Sequence, residues 1–226
     1  MGAMSPSDMV DVMGMDDRAR HGLVAFDRFE AADTDAGTAL AWSARASYGG
    51  DADRLALRSE GERMQGRIEH ADLELLWGHA IAPYWDMQVG VRHDVGHGPD
   101  RSWAAFGIQG LAPYWFEVNA TAYVGEQGRT ALRAELEYEA LLTQRLVLQP
   151  RVELDAYGKD DRAAGIGAGL SDVAFGVRLR YEIRREFAPY LGVEWVRRFG
   201  RSADFARDDG ADASDARVVA GVRWWF

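Results

Sequence analysis

The last ten residues of the chain alternate between two kinds of side chain with a period of two. One set is entirely apolar and consists of Val218, Ala220, Val222, Trp224 and Phe226. The other set mixes polar and apolar members and consists of Arg217, Val219, Gly221, Arg223 and Trp225. Such alternation predicts an extended strand with two different faces, as found in a half-buried soluble sheet or in a transmembrane barrel.

The same alternation returns along the chain from about residue 23 and predicts twelve strands, of which the first is the weakest. Their ranges are 24–33, 39–48, 54–60, 66–77, 84–94, 103–111, 114–124, 129–141, 146–157, 172–183, 188–199 and 217–226. An even number of strands near ten residues long suits a tilted crossing of a bilayer. We therefore predict an all-β fold, a single closed antiparallel transmembrane β-barrel of about twelve strands over residues 23–226.

The connections between the predicted strands alternate in length. They are short after strands 2, 4, 6, 8 and 10, whereas long ones follow strands 5, 9 and 11, at 95–102, 158–171 and 200–215. Short periplasmic turns and longer extracellular loops are the outer-membrane arrangement, which places the N- and C-termini on the periplasmic side. Aromatic residues near the strand ends suit a girdle at the membrane interfaces. The alternative is a large lipocalin-like or sandwich fold whose apolar face is the inner one.

Composition excludes several classes of protein and of site. The 226 residues include no cysteine, so disulfides and thiolate metal sites are impossible. The formal net charge of −10 argues against nucleic acid as a partner. The sequence contains no run of eighteen apolar residues and no signal peptide, and residues 1–5 are interpreted as an added start that replaces a removed signal.

The polar faces of the second half carry rows of charged side chains on neighbouring predicted strands. The rows are Arg133, Glu135, Glu137 and Glu139; Arg151, Glu153 and Asp155; Arg178, Arg180 and Glu182; Glu194 and Arg198; and Arg217 and Arg223. If the apolar faces meet lipid, these rows line the lumen, where opposite charges on adjacent strands pair. Two interpretations stay open: the rows fill the lumen as a plug, or they line a path for an ion.

Residues 1–22 are predicted to form a flexible, Met-rich periplasmic segment ahead of the barrel. Five of the seven methionines fall within the first fifteen residues, among several aspartates and ahead of His21. Thioether sulfur favours Cu(I), whereas carboxylate and imidazole groups suit Cu(II). The segment is therefore either a copper-binding site or a tail whose methionines bind nothing.

The chain has five histidines, and none lies in a motif for nucleophilic or metal-dependent hydrolysis. We therefore expect no enzyme activity, and an outer-membrane barrel enzyme is kept as an alternative. His70 shares a predicted lumen face with Asp72 and Glu74, at a spacing that would let neighbours hold or pass on a cation. His93 and His97 lie at the start of a predicted outer loop, as ligands for a divalent metal or as ordinary polar loop residues.

Six segments of the predicted barrel carry a resemblance to a known family. They are 81–86 (IAPYWD), 90–94 (GVRHD), 107–117 (GIQGLAPYWFE), 142–145 (LTQR), 148–151 (LQPR) and 178–190 (RLRYEIRREFAPY). These segments resemble the copper resistance protein B family, and the resemblance covers essentially all of residues 23–226. It implies an outer-membrane protein of Gram-negative bacteria that handles copper beside a periplasmic multicopper oxidase. Family members usually carry a longer Met/His-rich N-terminal segment than this one.

On this basis we expect the protein to bind copper ions and to export or sequester them at the outer membrane. The expected ligands are Met9, Met13, Met15, His21, His70, Asp72, Glu74, His93 and His97. The alternative is a non-transporting barrel with a lumen plugged by salt bridges, which holds copper only through its N-terminal segment. The expected partners are copper ions, outer-membrane lipid and the multicopper oxidase.

Overall fold

The computed structural model describes residues 19–34, 37–96 and 98–226. The strands within these residues are β1 His21–Thr34, β2 Gly37–Gly49, β3 Asp53–Met64, β4 Arg67–Ala82, β5 Trp85–Gly96, β6 Arg101–Ala112, β7 Phe116–Gly125, β8 Thr130–Glu137, β9 Ala140–Leu141, β10 Leu146–Tyr157, β11 Gly169–Tyr181, β12 Phe187–Arg198 and β13 Ser214–Trp225. The helices are α1 Gly200–Asp208 and the short 3-10 turns Pro113–Trp115, Glu126–Gly128 and Arg162–Ala164. Within the same residues, no helix is long and apolar enough to cross a membrane.

The strands form one antiparallel sheet that closes on itself. Neighbours in the chain pair with each other, and β1 pairs with β13 from Ala25 opposite Trp225 to Ala32 opposite Val219. β8 and β9 both pair with β10, so they are two parts of one barrel strand. The protein is therefore a closed antiparallel barrel of twelve strands, and the predicted fold class is confirmed.

The strand predicted over residues 129–141 is interrupted at Tyr138 and Glu139. Pro150 of β10 lies opposite this point, and proline has no backbone N–H to donate to a neighbouring strand. The backbone N–H of Tyr138 still donates to the carbonyl of Pro150 (3.1 Å). Because nothing is donated in return, the ladder breaks for two residues and the strand is divided into β8 and β9.

The apolar face of the barrel wall points outward and the charged face points inward. On β4, Leu73, Leu75 and Trp77 are between 41% and 51% exposed, whereas Asp72 and Glu74 are each 5% exposed. Large exposed apolar side chains around a closed barrel are typical of a surface that meets hydrocarbon. The alternative fold with the apolar face inside is therefore wrong.

A β-bulge explains why the alternation of the first predicted strand is the weakest. The register between β1 and β2 shifts between Phe26 and Arg28, so Asp27 is an extra residue. Asp27 forms an ion pair with Arg45 (3.1 Å), and Arg28 forms one with Glu60 (3.5 Å). Both neighbouring side chains thus point into the lumen, which breaks the period of two.

The connections are short at one end of the barrel and longer at the other, as predicted. At the short-turn end, β1 begins opposite Gly49, and the backbone of Phe226 bonds to that of Val24. The long-loop end carries the connections 158–168 and 199–213. The third long loop, expected at 95–102, is shorter because β5 runs to its second residue and β6 begins at its seventh.

The two long loops pack against each other over the long-loop end. Helix α1 buries Phe205, and the hydroxyl of Ser202 accepts a hydrogen bond from the backbone N–H of Gly167 (2.8 Å). The same hydroxyl lies 2.7 Å from that of Ser171 at the start of β11. Ser202 and Ile166 also line a lumen cavity of about 400 Å³, so the loops form its roof.

Aromatic side chains surround the outer surface of the barrel near its ends. The exposed ones include Trp77, Tyr84, Tyr114, Trp115, Tyr181, Trp195 and Phe226. Tyr84 and Trp115, on adjacent short turns, meet edge to face with ring centroids 6.5 Å apart. This arrangement matches the girdle predicted at a membrane interface.

Candidate functional site

The lumen of the barrel is lined by a network of arginines and carboxylates. These side chains point inward because they alternate with the lipid-facing residues along each strand. Arg151 contacts Glu135 on the adjacent strand at 2.7 Å, and Arg133 contacts Asp155 at 3.0 Å. The predicted pairing between charged rows on neighbouring strands is therefore confirmed.

Arg133 on β8 reaches across the lumen and contacts four carboxylates. Its Nε lies 3.0 Å from Asp155 and 3.5 Å from Glu153, both on β10. Its Nη1 lies 3.2 Å from Asp72 on β4 and 3.7 Å from Glu60 on β3. β4 and β3 are four and five strands away from β8 around the barrel, so this single side chain links two facing walls.

Glu60 receives further contacts from both walls. Ser43 donates a hydrogen bond to its carboxylate (2.8 Å), and Arg28 and Arg151 lie 3.5 and 4.0 Å from it. The central ion-pair layer, as we name it, consists of Arg28, Glu60, Asp72, Arg133 and Arg151. Because its members come from β1, β3, β4, β8 and β10, the layer crosses the lumen.

A second group of ion pairs beside the layer is almost fully buried. Arg178 donates hydrogen bonds to both carboxylate oxygens of Glu30 (3.0 and 2.8 Å) and to Glu194 (2.7 Å). Tyr190 donates another hydrogen bond to Glu30 (3.0 Å). Buried charges need such partners because the removal of an ion from water is costly. The group therefore ties β1, β11 and β12 together on the lumen side.

In addition to the roofed cavity beneath the long loops, the lumen has two cavities, which the central ion-pair layer separates. The inner chamber, on the short-turn side, has a volume of about 400 Å³. The outer chamber, on the long-loop side, has a volume of about 990 Å³. Arg28 and Glu60 line both chambers, so the layer is the boundary between them.

The two chambers differ in charge. The inner chamber is lined by six arginines and six carboxylates. The outer chamber is lined by four arginines, His70 and ten carboxylates, among them Glu62, Glu69, Asp172 and Asp215. This excess of carboxylates gives the outer chamber a negative potential, which attracts cations.

His70, Asp72 and Glu74 face the lumen on β4, as the alternation predicts. His70 is exposed and lines the outer chamber. Asp72 pairs with Arg92 (3.1 Å) in addition to its contact in the central ion-pair layer. Glu74 accepts a hydrogen bond from the hydroxyl of Tyr123 (2.6 Å). Both carboxylates already have partners, and their role as copper ligands stays a prediction.

The other predicted ligands are spread over the molecule. His21 is the exposed first residue of β1 at the short-turn end. His93 is exposed on the outer side of β5, and its Nδ1 lies 2.9 Å from the hydroxyl of Ser102. Met9, Met13, Met15 and His97 lie outside the described residues. Across 19–34, 37–96 and 98–226, no three His, Asp or Glu side chains are grouped so as to hold a metal ion.

Sequence reasoning did not single out several residues that organise the lumen. These are Arg28, Arg58, Glu60, Arg92 and Tyr123. All of them except Arg28 fall on the polar faces of their predicted strands, which is a signal for a lumen position. Their partners lie on strands far away in sequence, so the pairs become visible only when the barrel is closed.

The chain is similar to a family of known proteins over almost its whole length. The family model described as Copper resistance protein B precursor (CopB) matches residues 20–226. Copper resistance protein B homolog from Pseudomonas syringae pv. tomato (strain ATCC BAA-871 / DC3000) is 50% identical over 210 residues, which are 93% of this chain and 71% of the relative. Copper resistance protein B from Escherichia coli is 47% identical over 210 residues, with the same shares of both chains.

Solved structures share the fold at low sequence identity. NanC porin superposes with a TM-score of 0.56 at 12% identity, over 90% of this chain and 99% of that chain. KdgM porin superposes with a TM-score of 0.53 at 14% identity, again over 90% of this chain and 99% of that chain. At these identities the likeness shows the fold alone, which is a porin-like barrel.

Proposed function

Because this chain belongs to the copper resistance protein B family and folds as an outer-membrane β-barrel, we propose that it binds copper ions and exports or sequesters them at the outer membrane. The observation that carries the proposal is the acidic outer chamber, which holds ten carboxylates and His70 against four arginines. Carboxylate and imidazole groups suit Cu(II), and a negative potential concentrates cations. Copper is the cargo in this proposal.

We place the short-turn end of the barrel in the periplasm. Short turns are periplasmic in outer-membrane barrels, and the start of β1 and the end of β13 lie at this end. With this orientation, Met9, Met13, Met15 and His21 are proposed to capture copper on the periplasmic side. A periplasmic multicopper oxidase is the proposed partner there.

The remaining ligands are proposed to lie along a path from the periplasmic end of the barrel to its long-loop end. His70, Asp72 and Glu74 are proposed to hold copper inside the lumen, and the exposure of His70 in the outer chamber supports its part. His93 and His97 are proposed to act at the long-loop rim. Soft sulfur at the entrance and harder ligands inside would let an ion step between weak sites.

A non-transporting scaffold is the second candidate function. It is favoured by the central ion-pair layer, in which Arg133 joins facing walls through Glu60 and Asp72. In this candidate the lumen carries no ion, and copper is held only by the N-terminal segment. The two candidates therefore differ in where copper binds and in whether it crosses the membrane.

We further propose that the protein is not an enzyme. The family and the porin-like fold support this proposal. His70 faces the lumen whereas His93 pairs with the outward-facing Leu73, so the two imidazoles lie on opposite faces of the wall. Under the rival view of a barrel enzyme, a His70→Ala, His93→Ala double variant should lose an activity. A double variant that keeps every measurable activity would count against that view.

Copper flux into liposomes that contain the purified barrel tests export. We expect flux above that of empty liposomes, and we expect His70→Ala to lower it because the outer chamber loses its imidazole. The matched control is His79→Ala, because His79 lies at the short-turn end and pairs with Asp53 (2.9 Å). Flux equal to that of empty liposomes would contradict export.

Deletion of residues 1–21 separates the two candidates. Calorimetric titration with copper should still show binding to the shortened barrel if the lumen takes part. Loss of all copper binding would favour the scaffold that holds copper only through its N-terminal segment. Unchanged binding would instead remove Met9, Met13, Met15 and His21 from the proposed ligands.

A further inference from the structure

We propose that Arg133 is the latch that closes the lumen, and that the passage it closes admits small cations in preference to anions. By a latch we mean a side chain whose contacts join two facing walls and whose removal joins the two chambers. The inference rests on the proposed function, because it takes the lumen as the route of the ion. It assigns a role to a residue that is not among the proposed copper ligands.

The contacts of Arg133 distinguish it from the other lumen arginines. Among the described arginines, it is the one with ion pairs to four carboxylates, two on β10 and two on β3 and β4. Arg151 approaches Glu60 from the same wall only at 4.0 Å, the outer limit of an ion pair. Arg217 pairs with Glu194 on the adjacent strand (2.8 Å) and with Glu62 three strands away (3.0 Å). Arg223 also crosses the lumen, to Glu139 four strands away (2.8 Å), but it lines only the inner chamber of the two. Arg133 is therefore the main link between the facing walls within the central ion-pair layer.

The latch holds a side chain that the two chambers share. Arg133 lines the outer chamber and the roofed cavity, and it contacts Glu60 (3.7 Å), which lines both the inner and the outer chamber. Truncation of Arg133 to alanine would remove both of its links to β3 and β4, and Glu60 would then be free to move away from the boundary between the chambers. The inner chamber of about 400 Å³ and the outer chamber of about 990 Å³ would then be joined.

The charges around the latch determine which ions the open passage would admit. Four carboxylates surround the guanidinium of Arg133, and Asp172 adds a fifth as the cross-strand neighbour of Asp155. Three other arginines, Arg28, Arg92 and Arg151, pair with members of this set, so an excess of negative charge is left when Arg133 is removed. Rings of carboxylates select cations in channels. Arg133 thus acts as a tethered cation in the place that a passing cation would occupy.

Single-channel recording in planar lipid bilayers bathed in KCl tests the latch. We expect Arg133→Ala to raise the conductance about tenfold over the unsubstituted protein, because the constriction and its positive charge are both removed. The matched control is Arg217→Ala, which removes another lumen arginine without opening the boundary, and its conductance should change less than about twofold. Arg133→Lys keeps a cation in place and should stay near the unsubstituted value.

A KCl gradient across the bilayer tests the ion preference in the same recordings. The reversal potential of Arg133→Ala should have the sign of K⁺ permeation, because carboxylates outnumber arginines around the vacated position. A reversal potential with the sign of Cl⁻ permeation would overturn the cation preference. An equal rise in conductance in Arg217→Ala would overturn the special role of Arg133.

Folding of each variant is checked by the mobility shift on heating in gel electrophoresis, which folded barrels show. A folded Arg133→Ala variant with unsubstituted conductance would overturn the latch. If this variant does not fold, Glu60→Gln takes its place. We expect it to raise the conductance only about threefold, because Arg133 stays paired with Asp72. No rise in the conductance of Glu60→Gln would overturn the latch as well.

The recordings contain no copper, so failure of the copper tests would contradict the proposed function and leave the latch result unaffected.

Discussion

The outer surface and the lumen of the barrel are built from the same strands but depend on different interactions. On the outer surface, Leu191 and Val193 of β12 are 64% and 57% exposed and face hydrocarbon. On either side of them in the chain, the lumen residues Tyr190 and Glu194 are buried; Tyr190 donates a hydrogen bond to Glu30, and Glu194 accepts one from Arg178. One face thus needs only an apolar side chain, whereas the other needs specific partners.

This difference teaches which positions tolerate substitution and why. A lipid-facing position tolerates different apolar side chains, but a charged side chain is unfavourable there because hydrocarbon cannot solvate an ion. A lumen position accepts charge, but it depends on the partner that neutralises that charge. A new charge should therefore destabilise the barrel on its lipid-facing side, whereas in the lumen it should be tolerated beside a side chain of opposite charge.

The largest effect is expected where a buried lumen pair loses one partner. Arg178→Met leaves Glu30 without its guanidinium partner, whereas Glu194 keeps Arg217, and we expect a loss of about 3–5 kcal/mol in the free energy of unfolding. Urea unfolding from lipid vesicles, followed by tryptophan fluorescence, measures it. Arg178→Met combined with Glu30→Leu should recover part of the loss. A double variant that is no more stable than the single one would contradict the pairing argument.

A charge placed on the outer surface should have the next largest effect. Val193→Arg puts a guanidinium among lipid tails, with an expected loss of about 2–4 kcal/mol. The lumen control is Asn119→Arg, whose cross-strand neighbour is Glu135, and it should cost less than about 1 kcal/mol because the new charge meets a carboxylate. Equal losses in the same unfolding assay would remove the distinction between the faces.

Loss of a single buried lumen hydrogen bond should have a smaller effect. Tyr123→Phe leaves the carboxylate of Glu74 without the hydroxyl that donates to it at 2.6 Å, and we expect a loss of about 1–3 kcal/mol. Tyr48→Phe is the control, because Tyr48 is exposed on the outer surface. Thermal unfolding in detergent micelles compares the two, and a larger loss for Tyr48→Phe would contradict the role of the lumen bond.

The smallest effect is expected for an ion pair outside both faces. Arg162 and Asp208 connect the two long loops at 3.1 Å, and both side chains are largely exposed to water. Asp208→Asn should change the free energy of unfolding by less than about 1 kcal/mol, because exposed ion pairs contribute little. If Asp208→Asn lowered the free energy of unfolding as much as Arg178→Met does, this exposed ion pair would contribute far more to stability than we expect.

The outer surface could be predicted from the sequence because it depends on a local property. Alternation with a period of two is set by the strand itself, so the stretch 217–226 alone gives the inward and outward sets. The structure agrees, with Val218 63% exposed and Val219 buried. The number of strands and the arrangement of short and long connections follow from the repetition of this pattern.

Three features of the fold depend on contacts that the alternation does not report. Asp27 bulges out of the ladder, and the strand opposite Pro150 is divided in two. Helix α1 lies within the connection 200–215, which the alternation predicts only as a long loop, and its buried Phe205 packs against Arg162 of the other long loop. Each of these features depends on a contact with a residue of another strand or loop.

The lumen network could be predicted only between adjacent strands. The short turn between their strands predicts that Arg133 and Asp155 are neighbours, and they lie 3.0 Å apart. The contacts of Arg133 with Asp72 and Glu60 depend on how the sheet closes and which residues then face each other across the lumen. The copper ligands stay predictions, since those described are spread over both ends of the barrel and its outer side.

The orientation of the two faces is the claim on which all of this depends, and spin labelling tests it most directly. The chain has no cysteine, so single cysteines can be introduced and labelled one at a time along β7 in lipid bilayers. We expect labels at Val118, Ala120 and Ala122 to collide with oxygen dissolved in the lipid, and labels at Asn119, Thr121 and Tyr123 to be shielded from it. Oxygen access that lacks this period of two, or that is highest at the second set, would contradict the outward apolar face.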